Sequence, residues 1–268
     1  MVSMFLFYSG YGVMESIKNK GQSYIRAIPR HRVLVTLLKF DMAVCVFLVV
    51  QALFGNFYTP LRICEALLAW KGVGNSNWYI FAILVLYIFS WVSAMLVRGN
   101  YKYVPLIVTL LTVLYIIVMM SVRYDDAQFY NTVLCYPMGM SFSIHRQTVE
   151  RFYENKFNYW LIVLVLLVCF IVLKAFETSG TSPLIIFEAL LFSALVVSFT
   201  MKVNIKSKIL SWCGFYLFEI YILQRLPMLV FSHIGLAKLN IEFYFLTCLL
   251  FTLLLAYLFR RSTKWIKI

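Results

Sequence analysis

The sequence predicts an all-α protein, a polytopic membrane helical bundle of about nine transmembrane segments, forming a single domain over residues 1–268. Three observations carry this. Hydrophobic residues make up 63% of the 268 and charged residues 13%, against roughly 45–50% and about 25% in a soluble domain. The mean hydropathy is +0.85, more apolar surface than a soluble core of this size hides. Apolar runs recur along the whole chain, and basic residues alternate between the connections that join them.

The runs occupy residues 1–14, 33–54, 77–97, 104–122, 128–144, 158–173, 182–200, 207–233 and 240–259. The first supplies most of MFLFYSGYGVMES (residues 4–16), broken by Ser9-Gly10-Tyr11-Gly12. It is shorter than the roughly 17–20 residues a spanning helix needs. Its positive charges follow it, the reverse of a signal peptide. The expectation is a chain that starts part-way into a membrane segment, with an upstream helix packing on the small residues of Ser9–Gly12; a short first helix with its N-terminus outside is the alternative. The second run follows YIRAIPRHRVL, which clusters Arg26, Arg30, His31 and Arg32. Residues 55–76 form the long outer loop, and the other connections are short apart from the basic stretch 15–32. The run 207–233 exceeds a straight span, and Gly214 and Pro227 are placed to break it.

Charge sets the orientation. One set of alternate connections holds Lys18, Lys20, Arg26, Arg30, Arg32, Arg98, Lys102, Arg146, Arg151, Lys156, Lys202, Lys206, Lys208, Arg260, Arg261, Lys264 and Lys267, which is 17 of the 24 basic residues. The other set holds Arg62, Lys71, Arg123, Lys174 and Lys238, which is 5. This asymmetry is the positive-inside signal, placing residues 15–32 and 260–268 in the cytoplasm. The net charge of +13 therefore reports orientation in an inner (plasma) membrane, not a nucleic-acid partner. Tyr58, Trp70, Trp78, Tyr79, Tyr153, Tyr159, Trp160 and Trp265 suit the interfacial belts.

Polar groups within apolar runs are where function is sought, because they are costly in lipid. Lys39 reaches the interface by snorkelling. Asp41 suits either a pair with a basic residue of a neighbouring helix or chemistry, and Glu188 either a water-filled cavity or a place near the headgroups. The densest cluster lies in SWCGFYLFEIYILQRLPMLVF, where Glu219, Gln224 and Arg225 fall close together. Glu219 and Arg225 do not share a helix face, so each requires a partner elsewhere; they build either a structural ion-pair network or a cavity lining. His31, His145 and His233 all fall at run ends, so no histidine is placed at mid-membrane as a general base. The six cysteines lie scattered, without C-x-x-C or a Cys/His cluster, so neither disulfides nor a metal site is signalled.

Four segments resemble the acyltransferase-3 family of integral membrane acyltransferases. MFLFYSGYGVMESIKNKGQSYIRAIPRHRVLVTLLKFDMAV is similar to the family's second helix and basic loop. NSNWYIFAILVLYIF resembles its Trp-Phe/Tyr-Leu helix, and CYPMGMSFSIHRQTVERF its Pro-x-Gly helix with a basic cytoplasmic exit. ILSWCGFYLFEIYILQRLPM resembles its penultimate segment. The similarity runs in order along the whole chain. It implies transfer of an acyl group, usually acetyl, from cytoplasmic acyl-CoA to a hydroxyl of a sugar or lipid-linked glycan, with no permanently bound cofactor. Arg30 and Arg32 would bind the CoA phosphates, and Tyr11, Glu219, Gln224 and Arg225 would line the transfer cavity. The family's first helix, which carries a catalytic Arg and His, has no counterpart here, so this chain alone is expected to transfer nothing until such a helix is supplied. Gln224 stands where many members have His, and an amide hydrogen-bonds without acting as a base. Two other classes compete, a transporter or channel and a catalytically inactive membrane interaction subunit.

Overall fold

A computed structural model describes residues 2–97, 99–176, 183–203 and 206–266; Arg98 and Lys267, counted above, lie outside them. All regular elements among the described residues are helical: α1 (Val2–Lys20), α2 (Gln22–Ile28), a π-helical segment (Pro29–Leu34), α3 (Val35–Leu53), α4 (Pro60–Leu67), α5 (Trp78–Leu96), α6 (Val104–Val122), α7 (Cys135–Glu154), α8 (Lys156–Phe176), α9 (Leu184–Lys202), α10 (Lys208–Phe215), α11 (Leu217–Leu223), α12 (Arg225–His233), α13 (Leu236–Leu239) and α14 (Ile241–Ser262). The protein is an all-α, multi-pass membrane protein.

Six helical stretches among the described residues are long and apolar enough to span, namely Gln22–Leu53, Trp78–Leu96, Tyr101–Val122, Lys156–Phe176, Leu184–Lys202 and Ile241–Ser262. The bent pair Lys208–Phe215 and Leu217–His233 makes a seventh if it counts as one span. The expected nine is not reached, because runs 1–14 and 128–144 form α1 and α7, helices rich in small and polar residues. Exposure follows lipid logic. On α8, Trp160, Leu161, Leu164, Val165, Val168 and Ile171 are all exposed, an arrangement that water would penalise and hydrocarbon favours.

The chain divides into two compact units, Met1–Pro29 with Ala82–Ile205 and Arg30–Phe81 with Lys206–Ile268. In the first, α1 packs closely along α7. A Cβ on Gly10 would overlap the Tyr136 carbonyl, and one on Gly139 would overlap the Phe7 carbonyl. Each glycine thus lets the other helix's backbone approach, the usual role of small residues between membrane helices. Hydroxyl pairs extend the packing: Ser90 Oγ lies 2.8 Å from Tyr136 Oη, and Tyr153 Oη lies 2.8 Å from Ser198 Oγ. Each satisfies both buried polar groups at once.

In the second unit, Thr59 caps α4 by accepting from the Arg62 N–H, with Pro60 just inside the helix; both residues suit a helix start. The loop beyond α4 is fixed by polar contacts. Arg62 Nη2 donates to the Gly72 carbonyl at 2.8 Å, Asn77 Nδ2 to the Ala69 carbonyl at 2.8 Å, and Val73 N–H to Asn75 Oδ1 at 2.9 Å. The 207–233 run breaks where proline and glycine chemistry directs. α10 and the helix after it meet at 63°, pivoting on Tyr216, two residues past Gly214. A second irregularity falls at Gln224, because Pro227 has no N–H to donate to the carbonyl four residues back.

Candidate functional site

The predicted site residues fall into three places. Tyr11 lies in the first unit, on the α1 face that meets α7. Its hydroxyl accepts from Arg146 Nη1 at 2.7 Å, and Arg146 Nε donates to Glu150 at 2.7 Å. Together with Phe7, Phe142 and Thr200 they line a cleft of about 390 Å³. Glu150 and Tyr11 hold the Arg146 guanidinium firmly protonated, against the opposing effect of burial. Beside this cleft the buried Ser143 hydroxyl donates to Glu15 at 2.7 Å, and Lys18 Nζ donates to Glu15 at 2.7 Å and to the Ser143 carbonyl at 2.8 Å. Burial pushes the Glu15 carboxyl up, but the Lys18 and Ser143 hydrogen bonds and the charges of Lys18 and Arg146 outweigh it and hold it below its ordinary value. A carboxylate so stabilised is a poor base; its work is to tie α1 to α7. In this structure Ser9–Gly12 meets α7 through Gly10, against the Tyr136 backbone. Gly12 faces the opposite way and meets nothing within 4 Å.

Glu219, Gln224 and Arg225 all lie in the second unit, yet they do not converge. Glu219 is 2% exposed and turns toward α14, where Arg260 Nη1 lies 3.4 Å from its carboxylate. The same guanidinium donates to the Phe215 carbonyl and sits 3.5 Å over the Phe215 ring. Arg260 therefore serves two needs of the 63° bend: it satisfies a backbone carbonyl at the break, and it neutralises a buried carboxylate. Gln224 is half-buried. Arg225 is exposed and lines a separate cleft of about 620 Å³.

Arg30 and Arg32 sit on the π-helical segment Pro29–Leu34. Pro29 cannot donate the backbone bond expected of its position, and widening to π geometry absorbs the mismatch. The segment exposes Arg30 and His31, with Arg32 half-buried.

Of the remaining intramembrane charges, Glu188 pairs with Lys174 at 3.3 Å. Asp41 is half-buried on α3, with Oδ1 enclosed and lacking a hydrogen-bond partner among the described residues. The cysteines are free, with Cys135 and Cys248 buried.

The sequence marks Arg260 and Arg146 only as positive-inside charges and does not single out Ser143, although a buried Glu219 requires a cation and that demand points to a basic partner. No family model, no curated protein and no solved structure matches the chain.

Proposed function

We propose that the chain is a membrane acyltransferase. It moves an acyl group, acetyl in the first instance, from cytoplasmic acyl-CoA to a hydroxyl of a sugar or lipid-linked glycan. The acceptor oxygen attacks the thioester carbonyl carbon, the C–S bond breaks, and the hydroxyl proton ends on the CoA thiol. The reading is supported by the four segments that resemble acyltransferase-3 proteins in order along an all-helical, multi-pass chain. The reading rests on the cationic π segment, which exposes Arg30 and His31 toward the N-terminal end of the candidate span Gln22–Leu53, directly before α3. Guanidinium groups bind phosphate oxygens through paired N–H donors. Arg30 and Arg32 accordingly hold the donor's phosphates on the cytoplasmic side, where the charge asymmetry places them.

The other residues have different surroundings. Glu219 is committed to Arg260 and supports the bend. Tyr11 and Arg146 form one polar wall of the first unit's cleft.

The test is labelled-acetyl incorporation into the glycan fraction of cells carrying the gene at its native locus, compared with R30Q/R32Q introduced at the same locus. The expected result is incorporation that depends on the gene and falls at least tenfold in the double variant. Incorporation unchanged by deletion of the gene contradicts the reading.

A further inference from the structure

We propose that the cleft of the second unit binds the acceptor through an oxyanion, a carboxylate or a phosphate carried on a sugar. This deepens the acyl-transfer reading by naming the acceptor's chemistry, and it rests on that reading only for the word acceptor.

The cleft measures about 620 Å³, within the range of small-molecule sites. It lies where α3 ends and α14 begins, at the opposite end of α14 from Arg260 and Arg261. By the charge asymmetry this is the outer side, where a glycan is met. Its floor is fixed by hydrogen bonds. Gln51 is buried; its Nε2 donates to the Val73 carbonyl at 3.2 Å and its Oε1 accepts from Asn56 Nδ2 at 2.9 Å. Gly74, at φ +104°, forms the adjoining wall. A Cβ there would come within 2.9 Å of Gln51 Nε2 and of Leu229 Cδ1, so the wall is bare backbone. The Phe54 and His233 rings, also lining the cleft, stack at 3.9 Å with 12° between their planes. Tyr244 donates its hydroxyl proton to the Met228 carbonyl at 3.2 Å, which leaves its oxygen able to accept.

Arg225 gives the cleft its sign. It is exposed and forms no ion pair among the described residues. The carboxylates of this unit offer it little. Glu65 is engaged by Lys71 at 3.0 Å and Arg62 at 4.0 Å, and Glu219 by Arg260 at 3.4 Å. Glu242 is exposed at the start of α14, and Asp41 is half-buried on α3. A guanidinium lining a cleft without a counter-ion favours a planar or tetrahedral oxyanion in bidentate contact. Stacked rings and amides beside it suit a sugar ring with its hydroxyls.

The test uses the full chain in lipid nanodiscs, without any acyl donor, and isothermal calorimetry. Three probes separate the sources: a galacturonate oligosaccharide, glucose 1-phosphate and a neutral hexose oligosaccharide. One anionic probe is expected to bind at least tenfold tighter than the neutral one, and R225Q to abolish that preference while leaving the melting temperature unchanged. R225K, which keeps charge but loses bidentate geometry, should retain part of it. Equal binding of anionic and neutral probes, binding by none of them, or an undiminished preference in R225Q overturns the proposal. Because no acyl donor is present, failure here leaves acyl transfer standing, and failure of acyl transfer leaves an anion result standing.

Discussion

Glu219 shows how a single residue constrains the chain around it. Its carboxylate is buried at a helix bend and answered by one guanidinium, Arg260, itself 30% exposed. Removing that partner leaves an uncompensated buried charge, which costs up to about 3–5 kcal/mol for a fully buried pair; partial exposure of Arg260 reduces this to about 2–3 kcal/mol by the same reasoning. R260M should therefore lower the unfolding temperature in detergent, and E219Q/R260M should recover part of the loss because no orphan carboxylate remains. A double variant no better than R260M would remove the pair from the account. Glu15 makes a second prediction, in acid. Its folded value is depressed, so its contribution is present above the ordinary carboxylate value of about 4.3 and is lost as pH falls through the lower folded value. Wild type should lose melting temperature progressively below that range, and E15Q should show a flatter profile. That Glu219 needed a partner was legible in the sequence. Which residue supplies it was not, because Arg260 lies 41 positions away and no local pattern links them.

At the scale of elements, the α1–α7 contact rests on glycines whose roles differ over two residues. Gly10 is pressed on the Tyr136 backbone, whereas Gly12 has open space. G10A forces backbone apart and should destabilise by about 1–3 kcal/mol. G12A gains helix propensity of up to about 1 kcal/mol and should be neutral or stabilising. Thermal unfolding of the two single variants checks this, and equal effects would mean that the close approach is not what holds the pair. Ser-Gly-Tyr-Gly announced a close helix neighbour. The identity of that neighbour was hidden, because Gly139 on α7 is the matching half and lies far along the chain. The break in 207–233 was legible from Gly214 and Pro227, within a few residues of the pivots at Tyr216 and Gln224. The π geometry of Pro29–Leu34 was not, since proline announces an interruption without saying whether the helix kinks, ends or widens.

For the whole molecule, apolar composition and run length made the all-helical, multi-pass fold readable. Six of the nine expected spans, or seven with the bent pair, meet the length and apolarity of a spanning helix among the described residues; α1 and α7 carry polar residues that lower their hydropathy. The charge asymmetry predicts that positions 20 and 264 are cytoplasmic. Single cysteines placed there in a cysteine-free background should resist an impermeant thiol reagent in intact cells and react once the membrane is opened; labelling in intact cells would reverse the topology. The central claim is that the cationic turn before α3 receives an acyl-CoA donor, and its most direct measurement is acetyl-CoA binding to the chain in nanodiscs, wild type against R30Q/R32Q. Each charge-assisted hydrogen bond lost is worth about 1.5–3 kcal/mol, so the account predicts measurable binding by the wild type that weakens at least tenfold in the double variant. Wild-type protein that does not bind acetyl-CoA, or a double variant of equal affinity, would contradict it.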